Sequence, residues 1–311
     1  MNGAQVFVTL STFGAESGEP ERLLESSGFT YAVNSFGRRM EPLEVVERAR
    51  DSIGLIAGVE KYDAATLARL PQLKCISRCG VGIDNIETPA AERLGIGILN
   101  TPDEPTVAVA EHVLSLILGL LKRQPVVDGL MHRRQWQRVT GNLLAGKVVG
   151  IIGLGRIGRR VAELVSAFGA KVIAVEPRPD TGWAGTWGVD LTDLRQLLAR
   201  ADIVSIHVST SADSRFCLGK EELAMMKPGS WLVNTARGDM VDEAALVAAL
   251  ESGRLSGAGL DVFTSEPYAG PLCDNDRVIL SPHQATLTFE TRAAMETRAV
   301  ENLLRYLRGE A

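Results

Sequence analysis

Apolar positions along the chain fall into two kinds of run that alternate from the start. Short β-branched stretches at Gln5–Leu10, Thr30–Asn34, Ser52–Ala57, Lys74–Ser77 and Gly97–Leu99 read as strands. The segments between them, Glu19–Ser27, Pro42–Arg50, Ala64–Arg69 and Thr88–Arg93, carry helical spacing. Strand and helix in regular alternation predict parallel βαβ units, and these make one α/β lobe of about a hundred residues.

After Asn100 a second alternation opens with a helix at Val107–Lys122, apolar on more than one face and so expected to be deeply buried. Strands follow at Lys147–Ile152, Lys171–Val175, Ile203–His207, Trp231–Asn234, Gly257–Leu260 and Val278–Leu280, six in all, which fits a doubly wound sheet. Asp180–Gly188, rich in Gly and Trp, reads as a surface loop. A last helix, Thr286–Leu307, has Val300, Leu303, Leu304 and Leu307 on one face and is expected to return to the first lobe.

Composition narrows the class. With 311 residues, 45% hydrophobic and 23% charged, the chain can bury two cores. A net charge of -5 supplies no general positive field, so nucleic acid is not an expected partner. The apolar stretch Val107–Leu121 is broken by Glu111, His112 and Ser115, and the N-terminus lacks a basic leader, so a cytoplasmic protein without membrane attachment is expected. Cys75, Cys79, Cys217 and Cys273 show no CxxC spacing and are expected to be reduced and buried. No histidine pair or carboxylate cluster has metal-ligand spacing, so no metal is expected.

The sharpest motif is Gly153-Leu-Gly155-Arg156-Ile157-Gly158, directly after an apolar strand and at the opening of a helix. There Gly153 makes a tight turn, Gly155 admits backbone amides to a pyrophosphate, and Gly158 lets helix and strand pack closely. The next strand ends at Glu176, about the ~20-residue offset expected of an acid that accepts ribose hydroxyls. A carboxylate there repels a 2'-phosphate, which favours NAD over NADP. Arg178 offsets that repulsion in part or is a solvated surface residue.

Asn234-Thr235-Ala236-Arg237-Gly238, then Gly259-Leu-Asp261-Val-Phe-Thr-Ser-Glu266-Pro267, then Ser281-Pro-His283 follow in order. With Arg78-Cys-Gly80-Val81-Gly82-Ile-Asp84-Asn85 and Ala110-Glu111-His112, they give nearly the whole chain a resemblance to the D-2-hydroxyacid dehydrogenase family. Within it the phosphoglycerate dehydrogenases without a regulatory extension look most similar. The resemblance implies an α/β fold of two parallel-sheet domains, Rossmann-like or flavodoxin-like, separated by an active-site cleft. Residues 1–100 with 284–311 would form a flavodoxin-like substrate domain, and 101–283 the NAD-binding Rossmann domain. A homodimer is implied, with contacts through the bridge helix and Leu121–Leu144.

The expected reaction is hydride transfer between NAD(H) and C2 of a D-2-hydroxy acid or its 2-keto acid, a small anion. By resemblance His283 is the acid and base, Glu266 fixes its tautomer, and Arg237 grips the substrate carboxylate and C2 oxygen. Taken alone, Arg237 is also a helix-start arginine able to pair with Asp239 or Asp242. Asp261 would accept a hydrogen bond from the nicotinamide carboxamide, or serve as a turn residue. His207, Thr235 and Ala236 complete the cofactor wall, although His207 and His112 also suit satisfied structural histidines, and His132 an exposed one.

The Val81 and Gly82 amides would meet the substrate carboxylate, unless the glycines merely make a turn. By the same resemblance Arg78, and Arg138 of the partner subunit, would face a second anionic group, a phosphate or phosphonate. The chain departs from the pattern in three places: Ser209–Ser211 in the cofactor wall, Gln284 after the histidine, and the hydroxyls of Thr9, Ser11 and Thr12, which either line the cleft or cap strand ends. An NADH-sensing regulatory protein of the same fold, like the corepressors that resemble these enzymes, is the alternative function.

Overall fold

In the computed structural model, residues 5–208 and 216–310 are described. They divide into two compact units, one reaching Pro105 and resuming at Leu287, the other spanning Thr106–Thr286. The sequence placed these divisions a few residues earlier, at 100/101 and 283/284. Two packing relations set the observed positions. Helix Thr106–Lys122 buries Leu116, Ile117 and Leu121 in the second unit's core, and the backbone amides of Gln284 and Ala285 are tied to Asp261 in that same unit.

The first unit holds β1 (Val6–Val8), β2 (Tyr31–Val33), β3 (Gly54–Ala57), β4 (Cys75–Arg78) and β5 (Gly97–Asn100), all parallel, in the order β2-β1-β3-β4-β5. This is the flavodoxin-like order. Successive side chains point to opposite faces, so Phe7, Leu55 and Ile76 pack with Val45, Leu67 and Ala90, whereas Val6, Val8, Ile56 and Cys75 pack with Val300 and Leu303. The latter two belong to the C-terminal helix Phe289–Leu307, which covers that face as the sequence led one to expect. Each such aliphatic side chain, fully buried, contributes about 1.5–3 kcal/mol.

The second unit holds β6 (Val148–Ile152), β7 (Lys171–Val175), β8 (Asp190–Leu191), β9 (Ile203–Ile206), β10 (Ser230–Asn234), β11 (Leu255–Leu260) and β12 (Val278–Leu280). Their order is β12-β11-β10-β9-β6-β7-β8, parallel throughout, a doubly wound sheet with its chain reversal between β6 and β9. β8 is a seventh strand where six were expected, too short at two residues to show a period.

Asp180–Gly188 is also not a loop. Helix Thr181–Thr186 runs there, because the Asp180 carboxylate accepts from the Trp183 amide at 3.0 Å and the turn buries Ala184. Cys75 and Cys79 are buried, packed in the core under the C-terminal helix, but Cys217 and Cys273 are exposed, outside any core cluster of the described residues. The segment expected to meet a second copy leaves Trp136 82% and Leu143 68% exposed. Among the described residues, no helix is long and apolar enough to cross a membrane, and no group of three His, Cys, Asp or Glu could hold a metal ion.

Candidate active site

The turn after β6 explains its three glycines one by one. Gly153 has φ +97°, in the region that favours glycine, and a Cβ there would lie 2.6 Å from the His207 carbonyl oxygen. A Cβ on Gly158 would lie 2.0 Å from the Gly153 carbonyl oxygen, so helix Arg156–Ala167 presses directly on the turn. Gly155 caps that helix and faces open space, leaving the first-turn amides accessible to an anion. Arg156 is exposed beside it, while Ile157 packs against the core.

Glu176 leaves the end of β7 and reaches this turn. Its Oε2 accepts from the Leu154 amide at 2.9 Å and its Oε1 from the Arg178 amide at 3.2 Å. Each oxygen keeps a lone pair for a hydroxyl. His207 bonds Ile152 O through its amide at 2.7 Å and Ser205 Oγ through Nε2 at 2.8 Å, and burial lowers its pKa to about 3. Thr235 Oγ1 is buried and has no hydrogen-bond partner among the described residues, while the neighbouring Ala236 amide is held by Asn234 Oδ1 at 3.0 Å. Open first-turn amides, an anchored acid and an orphaned hydroxyl at a strand end fit a dinucleotide. Ser209–Ser211 lie outside the described residues.

The loops leaving β10, β11 and β12 carry Arg237, Glu266 and His283. Asn234 shapes the first of these, donating from Nδ2 to Arg237 O at 2.8 Å, and the Arg237 guanidinium donates to Ala236 O at 2.8 Å. Gly238 allows that loop to sit against the next, since a Cβ would lie 2.0 Å from the Phe263 carbonyl carbon. Phe263 in turn donates its amide to Glu266 Oε1 at 3.0 Å, and Glu266 Oε2 accepts from His283 Nδ1 at 2.9 Å. With Nδ1–H so engaged, His283 Nε2 is the free ring nitrogen. Both side chains stay reachable, at 44% and 37% exposure. Asp242, one of the partners open to Arg237 in the sequence, caps helix Glu243–Glu251 by accepting from the Ala245 amide.

Asp261 has a different place from its neighbours. It is fully buried, and its carboxylate accepts from Ser281 Oγ at 2.5 Å and from the amides of Gln284 and Ala285, each at 2.9 Å. Because the single Ser281 proton goes to Asp261, His112 Nε2–H donates to Ser281 Oγ at 2.9 Å, which makes His112 a satisfied structural residue. Burial alone would raise the Asp261 pKa, but the bonds from His112, Ser281 and the two amides outweigh it and hold the carboxyl below its usual value. This knot fixes the loop of His283, whose amide donates to Asp261 O at 2.8 Å.

In the first unit, Arg78 ends β4 and folds its guanidinium over Gly80, donating to the Cys79 carbonyl. Gly80 has φ +147° and donates its amide to Thr101 Oγ1 at 2.7 Å. Among the described residues the amides of Val81 and Gly82 donate to no acceptor, as an anion nest requires. Beside this loop lies a group the sequence did not single out, Glu60 with Tyr62, both buried and in contact with Thr9. Their only signal is a glutamate and a tyrosine in a loop straight after a strand. Arg138 belongs to the second unit and is exposed, and Gln284 is exposed with its amide bound to Asp261.

A family model described as "D-isomer specific 2-hydroxyacid dehydrogenase, NAD binding domain" matches residues 114–285. The D-3-phosphoglycerate dehydrogenase of Mycobacterium tuberculosis is 39% identical over 259 residues, which cover 82% of this chain and 49% of that protein. The chain thus spans about half the length of the mycobacterial relatives it matches. The glyoxylate reductase of Aeropyrum pernix is 36% identical over 324 residues, covering 100% of this chain and 95% of that protein. Among solved structures, the TT0316 protein from Thermus thermophilus superposes with a TM-score of 0.88 at 34% identity, covering 98% of this chain and 97% of that one.

Proposed function

The chain belongs to the D-isomer specific 2-hydroxyacid dehydrogenase family, and from that premise we propose that it transfers a hydride between NAD(H) and C2 of a D-2-hydroxy acid and its 2-keto acid. NAD is the cofactor of the family's binding domain, and when bound it supplies the hydride chemistry. The first-turn amides at Gly155 and Arg156 take its pyrophosphate and Glu176 its ribose hydroxyls. Thr235, Ala236 and His207 line the wall beside them, and Asp261 keeps an acceptor direction on Oδ2 for the carboxamide.

Arg237 grips the substrate carboxylate and polarises the C2 carbonyl, and in the first unit the Val81 and Gly82 amides form a nest able to take a carboxylate. His283 Nε2 holds the proton that passes to the C2 oxygen on reduction and returns on oxidation. Glu266 keeps that nitrogen aimed through its bond to Nδ1. The observation that carries this reading is the 2.9 Å contact of His283 with Glu266, on loops packed against that of Arg237 in a sheet whose glycine turn fits a dinucleotide.

Two substrate readings fall under this reaction. In one, Arg78 and Arg138 hold a second anionic group, as in 3-phosphoglycerate or a phosphonate analogue, and the phosphoglycerate dehydrogenase relatives support it. In the other, the substrate is a compact keto acid with a single carboxylate, and the glyoxylate reductase relatives support that. The test of the reaction itself is NADH consumption with glyoxylate, pyruvate, 3-phosphohydroxypyruvate and phosphonopyruvate. Turnover with at least one is expected. No turnover with any, alongside tight NADH binding, would replace the enzyme with the NADH-sensing regulatory protein.

A further inference from the structure

The first sheet reverses its chain direction between β1 and β3, and ligands of such sheets bind at that point, beyond the carboxyl ends of the strands. Two donors converge there. Thr9, just after β1, donates its hydroxyl to Glu60 Oε2 at 2.7 Å, and the Gly58 amide, just after β3, donates to the same oxygen at 3.0 Å. A hydroxyl and a backbone amide aimed at one point from adjacent strand ends are the donor set of an anion niche. Here the protein fills it with a carboxylate of its own.

That carboxylate is held fast. Glu60 is 2% exposed, and its backbone carbonyl accepts from Asn85 Nδ2 at 2.7 Å. Tyr62, two residues on, bonds Asn85 O and the Glu87 amide through its backbone at 2.8 and 3.0 Å. The Tyr62 hydroxyl lies 3.2 Å from Thr9 Oγ1. Burial, and after it the charge of Glu60, raise the Tyr62 phenol above its usual range, so it remains a hydrogen-bond donor to Thr9. The Thr9 proton is thereby left for Glu60. Alongside, Ala57 of β3 pairs in register with Arg78 of β4, and the Cys79 amide bonds Ala57 O at 2.9 Å. The loop that carries Arg78 therefore borders the filled niche.

We propose that Glu60 sets the substrate class, its carboxylate occupying the anion niche of the first sheet so that keto acids with one carboxylate are accepted and those with a second anion are rejected. The proposal rests on the dehydrogenase reading above, and it decides between that reading's two substrate classes in favour of the compact one. A fixed like charge within a few ångströms of a second anion disfavours it by about tenfold or more.

The experiment compares kcat/KM for glyoxylate and 3-phosphohydroxypyruvate in the full chain with NADH, for the wild type, Glu60→Gln and Glu60→Asp. The wild type should favour glyoxylate by about tenfold or more. Glu60→Gln should move the ratio toward the phosphorylated acid by about tenfold, through its KM, while Glu60→Asp restores discrimination. A merely structural glutamate would lower both rates together and leave the ratio in place. Preference of the wild type for 3-phosphohydroxypyruvate, or an unmoved ratio in Glu60→Gln, overturns the proposal. The wild-type ratio needs no variant, so poor folding of Glu60→Gln does not shield the idea. Absence of turnover with every keto acid sinks the dehydrogenase reading and this proposal together, whereas turnover in the wrong order sinks this proposal alone.

Discussion

The carboxyl edges of the two sheets are both made of loops leaving parallel strands, but they hold their charges in opposite ways. In the second unit, His283 and Glu266 are partly open to solvent and are aimed by one contact to each other and one to backbone. In the first, Glu60 is sealed, with its carboxylate satisfied by a hydroxyl and an amide of the chain. A group that exchanges protons with a substrate must be reachable. A group that only shapes the field felt by the substrate need not be, and burial strengthens that field.

Three measurements sharpen or break this contrast. His283→Ala should lower kcat by about a hundredfold or more while NADH binding, followed by fluorescence titration, stays near wild type. A near-normal rate would remove the reachable histidine from the chemistry. Gly158→Ala comes next, because its methyl group would meet the Gly153 carbonyl oxygen at 2.0 Å and force the turn open. NADH affinity should fall by about tenfold or more, and unchanged affinity would mean the dinucleotide does not sit on this turn.

The smallest effect concerns Asp261 and acid. Its folded pKa lies below the ordinary carboxyl value, so its contribution to stability is present above that value and is lost as pH falls through the folded one. In thermal melts between pH 7 and pH 3, the wild type should lose stability faster than Asp261→Asn, and the gap between them should narrow. Parallel curves would show that the buried knot gains nothing from ionisation.

Much of this molecule is legible in its sequence wherever periodicity or a motif spans neighbouring residues. β7 and β12 run over the residues that the β-branched stretches indicated, and the loops of Arg237, Glu266 and His283 could be picked out because each charged residue stands in a run of distinctive neighbours. Helix Thr181–Thr186 was hidden because Gly182 and Gly185 mask a helix that Asp180 nucleates as its cap. Glu60 was hidden for another reason. A single glutamate after a strand looks like a solvated residue until Thr9, 51 positions earlier, comes alongside to receive it. The turn-organising bonds of Asp261 were hidden likewise, since they join residues about twenty positions apart.

His283 has φ +51°, a left-handed backbone that costs a residue with a Cβ about 1–2 kcal/mol. Replacing it with a β-branched residue would combine that conformational penalty with the missing imidazole, and the two losses would be read as one. Asparagine enters this region more readily than most residues. His283→Asn is therefore the substitution that separates foldability from proton transfer at this position, and libraries screened there should recover folded but inactive members enriched in Asn, Asp and Gly.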